Sequence, residues 1–110
     1  MREPQAERGR VVLGAERDLD GGVLTALVRE VAALACENGT RVLVNDRADV
    51  ARAASAHGVH LRSAGLPTAR VRGWAGREWT IGRSVHTLDE VRREQDVDYL
   101  MFGTTFSTPA

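Results

Sequence analysis

The chain has 110 residues, with 15 basic and 15 acidic side chains and no net formal charge, so it holds at most one domain and shows no basic excess of the kind a nucleic-acid surface needs. All the basic residues are arginine, which excludes lysine Schiff-base and lysine-nucleophile chemistry. A single cysteine excludes an internal disulfide, the N-terminal residues carry no apolar signal region, and no apolar run approaches the ~20 residues of a membrane span; a reducing, cytoplasmic setting without a membrane partner is the expectation.

Residues 1–10 read as a polar tail and 11–110 as the domain. Val11-Val12-Leu13 opens a short strand, and Asp18 or Asp20 can cap the first helix. Leu24, Leu27, Val28, Val31, Leu34 and Ala35 recur at helical spacing, predicting that helix, amphipathic, from Gly22 to Cys36. Cys36 is expected in the buried face, and Asn38-Gly39 stops the helix. The run from Arg41 to Asp46 reads as a strand, Ala48 to Ala56 as an alanine-rich helix, and Val59-His60-Leu61 as a strand. Pro67 suits a first helical turn, with Val71, Trp74 and Ala75 on its apolar face. Trp79 to Val85 is a further strand. Thr87-Leu88-Asp89-Glu90 is a capping box that opens a helix ending near Gln95. Asp98 to Gly103 is the last strand. Five apolar strands alternating with four helices predict an α/β fold on a parallel sheet.

In such folds the site lies at the C-terminal ends of the strands. The polar residues there are Glu16 and Arg17, Asn45 to Arg47, Arg62 and Ser63, Ser84 and His86, and the hydroxyls from Thr104 to Thr108. The same residue types also cap helices, so position alone leaves both readings open. His86 ends a strand before a capped helix, and an imidazole with a pKa of about 6.5 suits proton transfer near neutrality. His57 stands at a helix end, where a cation would complement the dipole. His60 lies within a strand, where packing is the simpler role. Asn45-Asp46-Arg47 suits a metal or phosphate, or a cap for the next helix. Arg17 and Arg83 suit a phosphate or a solvated surface. No dinucleotide fingerprint, phosphate loop, HExxH or GxSxG is present.

Taken in order, Ile81-Gly-Arg-Ser-Val-His86-Thr-Leu-Asp-Glu90, Asp98-Tyr-Leu-Met-Phe-Gly103 and Phe106-Ser-Thr-Pro109 resemble the thiamine phosphate synthase and thiazole tautomerase (TenI-like) superfamily. Val42-Leu-Val-Asn-Asp-Arg47 and Gly58-Val-His-Leu61 match that family's third and fourth strand regions, and Val11 to Leu19 stands at its second. The resemblance implies a partial TIM-type (βα) barrel, about five parallel strands with four helices, the first unit and last two strands missing. It implies one of two reactions. The synthase joins a pyrimidine diphosphate to a thiazole phosphate with magnesium, whereas the tautomerase shifts a proton to aromatise a thiazole carboxylate phosphate and uses no metal.

Two departures from the synthase pattern favour the tautomerase. Gly65 stands where the synthase loop carries a magnesium carboxylate, leaving Asp46 as the other metal ligand only if the chain is a synthase. Ala15 replaces the first arginine of the second-strand motif, with Glu16 and Arg17 kept. By resemblance His86 is the acid–base residue, and Arg17, Asn45, Ser84 and Thr108 are substrate contacts. No cofactor is expected for the tautomerase, and Mg2+ for the synthase. The expected ligand is a small thiazole phosphate. The open barrel edges call for a homo-oligomer or a complementing chain. A third reading is a non-catalytic remnant or an oligomeric phosphate-binding module.

Overall fold

A computed structural model describes residues 10–13 and 20–103 of the chain. Ala15, Glu16, Arg17, and Thr104 to Thr108 fall outside the described residues. The elements are β1 (Arg10–Leu13), α1 (Gly21–Cys36), β2 (Arg41–Asn45), α2 (Ala48–Ala53), β3 (Gly58–Leu61), α3 (Thr68–Ala75), β4 (Thr80–Val85), α4 (Leu88–Arg93) and β5 (Tyr99–Phe102). The strands form one parallel sheet in sequence order, β1-β2-β3-β4-β5. Consecutive neighbours joined by helical crossovers are what a (βα) barrel wall requires.

Side chains alternate across a strand, so the sheet has two faces. Val42 and Val44 of β2 point to the helices and pack with Leu24, Val28, Val50 and Ala51. Val59, Leu61 and Ile81 pack with Val71 and Ala48 in a second cluster. Trp79 touches both clusters and meets Trp74 edge-on at 5.6 Å. The opposite face of β2–β5 carries Asn45, His60, Gly82, Ser84 and Tyr99, placed by the register Asn45↔His60, His60↔Gly82 and Gly82↔Tyr99.

Asp20 caps α1, accepting from the Gly22 N–H at 3.3 Å. Gly39 takes φ +72° just after the helix, a conformation glycine adopts without strain. The buried stripe of α1 is Leu24, Val28, Ala32 and Ala35. It is narrower than the spacing suggests: Leu27 and Leu34 lie on its exposed flank. Cys36 is exposed as well, contrary to expectation. It stands about 120° round the helix from Leu24, beyond the stripe. The second helix ends at Ala53 rather than Ala56, with Ser55 at φ +59° turning the chain into β3. The capping box of α4 forms as expected: Thr87 Oγ1 accepts from the Glu90 N–H at 3.1 Å, and Glu90 accepts from the Thr87 N–H at 3.1 Å. No described helix is long and apolar enough to cross a membrane.

Candidate active site

Three strands bring their C-terminal ends together on the face away from the helices. Asn45 ends β2 beside His60 of β3. His60 is 5 % exposed and bridges two hydroxyls, Tyr99 Oη at Nδ1 and Ser84 Oγ at Nε2, each at 2.8 Å. Its ring stacks on Tyr99 with centroids 5.6 Å apart. Gly82 makes this possible, since a Cβ there would fall 2.0 Å from Tyr99 Cζ. Burial pushes the His60 imidazole below the usual histidine range; Asp46 opposes this and Arg83 adds to it. His60 is therefore packed, as its strand position suggests, but it is packed into the polar network that holds Ser84. Its phase on β3 relative to Ser84 on β4 is the sequence signal for that link, readable only once the register is known.

Asp46 follows β2 at φ +63°. That turn aims its carboxylate across to the loop after β3 instead of onto α2. Its Oδ1 accepts from the Arg62 N–H at 3.0 Å, and Oδ2 lies 3.6 Å from Arg62 Nε. The N-cap of α2 is Arg47, with no side-chain cap, so neither Asn45 nor Asp46 serves as one. Arg47 instead pairs with Asp49, whose carboxyl it holds below the usual carboxylate range. Asp46, Arg62, Ala64, Gly65, Leu66 and Pro67 line a cleft of about 360 Å3 at this end of the sheet.

A divalent cation needs several oxygen donors. A Cβ at Gly65 would stand 3.0 Å from Asp46 Oδ1, so a carboxylate at that position would face Asp46 directly. The glycine supplies none, Asp46 is paired with an arginine, and the described residues contain no group of three metal-ligating side chains. This donor set does not fit a resident magnesium ion.

His86 is exposed just beyond β4. Its Nδ1 lies 2.7 Å from the Gly103 carbonyl, which can only accept, so Nδ1 carries a proton and Nε2 is the ring nitrogen left outside that bond. Its backbone N–H donates to Glu90 Oε1 at 2.5 Å, which helps to hold the Glu90 carboxyl below its usual range. Among the described residues no hydrogen bond links His86 to Ser84 or His60. The structure thus places Asn45 beside His60 by strand register, links His60 to Ser84 by a hydrogen bond, and leaves His86 on a separate anchor.

Two other expectations are corrected. Arg83 is neither a phosphate ligand nor a solvated charge. It is 4 % exposed on the helix-facing side, and its guanidinium is consumed by Thr68 Oγ1, Glu94 and the carbonyls of Arg62, Ser63 and Leu66. His57 is not a cation at a helix end: its Nδ1 accepts from the Val42 N–H at 2.8 Å, and burial, with Arg41 nearby, pushes its pKa down.

Residues 6–110 match the family described as thiamine monophosphate synthase. The thiamine-phosphate synthase of Saccharopolyspora erythraea is 36% identical over 129 residues, covering 97% of this chain and 58% of its own length. That of Parasynechococcus marenigrum is 38% identical over 107 residues, covering 94% of this chain and 31% of its own. The solved thiamine phosphate pyrophosphorylase from Pyrococcus furiosus superposes with a TM-score of 0.78 at 27% identity, over 88% of this chain and 48% of that one. The chain spans about half the length of such relatives, or less.

Proposed function

Because this chain belongs to the thiamine monophosphate synthase family, we propose that it serves thiamine-phosphate synthesis, the joining of a pyrimidine diphosphate to a thiazole phosphate with departure of diphosphate. The observation that carries this reading is the convergence of Asn45, His60 and Ser84 at neighbouring strand ends, beside the Asp46–Arg62 cleft. The relatives named thiamine-phosphate synthase support it, and they favour it over the tautomerase. In this arrangement Asn45 and Ser84 hydrogen-bond and orient the substrate. Arg62 places a guanidinium at the cleft, where a departing diphosphate gains negative charge. No step is routed through a metal ion, since the donor set among the described residues does not fit one. The test is direct: purified chain, pyrimidine diphosphate and thiazole phosphate, assayed with and without added Mg2+, with thiamine phosphate and released diphosphate quantified. Product above the uncatalysed rate, reduced at least tenfold by Ser84→Ala, is expected. Folded protein that yields no product overturns the reading.

The tautomerase stays as a second reading on one observation. Gly65 leaves Asp46 as the one carboxylate lining the cleft among the described residues, while His86 keeps Nε2 outside its anchoring bond for metal-free proton movement. Metal-independent aromatisation of a thiazole carboxylate phosphate, abolished by His86→Asn, is its signature. An unchanged rate in that variant removes His86 from the role.

A further inference from the structure

Ser84 does not stand alone at the mouth of the sheet. His60 holds it from below and is itself held by Tyr99, both at 2.8 Å. Neither ring nitrogen of His60 bonds a carboxylate, and the ring is nearly sealed from solvent. Such an imidazole is neutral, with one N–H and one lone pair. One hydroxyl must then donate to the ring while the other accepts from it.

The chemistry of the two hydroxyls decides which. A phenol, with a pKa of about 10, is a stronger donor and a weaker acceptor than an alkyl hydroxyl, which is far less acidic. Both preferences favour Tyr99 donating to Nδ1 and Nε2–H donating to Ser84 Oγ. Ser84 Oγ then has an acceptor lone pair filled by the imidazole, and its own O–H points elsewhere.

We propose that Tyr99, His60 and Ser84 form a directed hydrogen-bond chain that presents the Ser84 O–H as a donor, so the substrate atom it meets is an acceptor: an oxyanion or an unprotonated ring nitrogen. His60 acts through Ser84 and is a positioning residue. Gly82 belongs to the same device, because its missing side chain is the seat of the Tyr99 ring. That Ser84 meets substrate rests on the proposed function; the direction of the chain does not.

The experiment is two-dimensional 15N–1H NMR of the histidine-labelled chain at pH 7.5, which separates pyrrole-type from pyridine-type ring nitrogens. His60 is expected as the Nε2–H tautomer in the wild type, with the Nδ1–H population rising in Tyr99→Phe once the phenol donor is gone. A wild-type Nδ1–H tautomer overturns the chain. Calorimetric titration with thiazole phosphate and pyrimidine diphosphate separates this from the functional reading. If the wild type binds neither, the functional reading fails and the tautomer still decides the chain. If it binds, Ser84→Ala is expected to weaken one of them about tenfold, the worth of a hydrogen bond to a charged acceptor; unchanged affinity for both overturns the substrate part.

Discussion

Arg83 and Ser84 are adjacent in β4, yet they sit in two different kinds of polar network. On the helix-facing side, Arg83 points into a cage of carbonyls from the loop after β3, with Thr68 and Glu94 closing it. Arg72 does the same near the N-terminal ends of β4 and β5, donating to the carbonyls of Gly76, Trp79 and Asp96 and pairing with Asp98 at 3.1 Å. These guanidiniums are spent on the protein itself. On the other side, Ser84, His60 and Tyr99 are hydroxyls and an imidazole, each both donor and acceptor. One face therefore uses buried charge to fix loops; the other uses neutral, reversible polarity at the strand ends where the substrate is proposed to bind. Buried polar groups alone do not mark a site, and the residue types in the network separate the two.

The largest expected effect is on the helix-facing side. Arg83→Met keeps the stem and removes every donor, leaving Glu94 and three loop carbonyls short of partners. Stability should fall by about 3–5 kcal/mol, the usual cost of breaking a buried ion pair from one end, read as a shift of the urea midpoint. Ser84→Ala removes one partly buried hydroxyl and should cost about 1 kcal/mol. Equal losses in the two variants would erase the distinction between the faces.

Much of the fold was legible in the sequence, because apolar spacing and capping signals are local. The strands opening at Arg41 and near Asp98, the cap at Asp18 or Asp20 that the structure assigns to Asp20, and the Thr87–Glu90 box are all read from neighbouring residues. What escaped was set by partners far along the chain. His60 meets Tyr99 and Ser84 across 39 and 24 residues. Arg83 is buried because a loop some 20 residues earlier folds over it. Asp46 abandons its helix for the Arg62 backbone. Arg17 and Thr108 fall outside the described residues, and the roles of Asn45, Ser84 and His86 are proposals.

Gly82→Ala gives an intermediate effect and tests how tightly the Tyr99–His60–Ser84 network is seated. Its new methyl would lie 2.0 Å from the Tyr99 ring, so the ring must leave its place. Overpacking of this kind costs about 1–3 kcal/mol. The NMR signals of Tyr99, the chain's one tyrosine, should shift along with those of His60. Movement of the tyrosine without a response at His60 would uncouple the pair.

The smallest effect is a pH dependence confined to the imidazoles, since the arginines of the helix-facing networks stay charged throughout. His57 and His60 both have pKa values lowered by burial in the folded chain. The unfolded chain therefore binds more protons than the folded one as pH drops below about 6.5. Stability contributed by these groups is complete above that pH and declines as it falls toward their folded values. Asp49 and Glu90, whose folded pKa values are also lowered, add a further loss only in the more acidic range below about 4.5. Urea midpoints at pH 7.5 and 5.5 should thus differ in favour of pH 7.5. His57→Asn keeps an acceptor for the Val42 N–H but takes up no proton, so it should flatten the difference in part. The slope that remains belongs to His60 and to the face that carries Ser84. If His57→Asn removes the whole slope, the His60 ring is not held neutral by its surroundings, and the contrast between the two faces loses its titratable half.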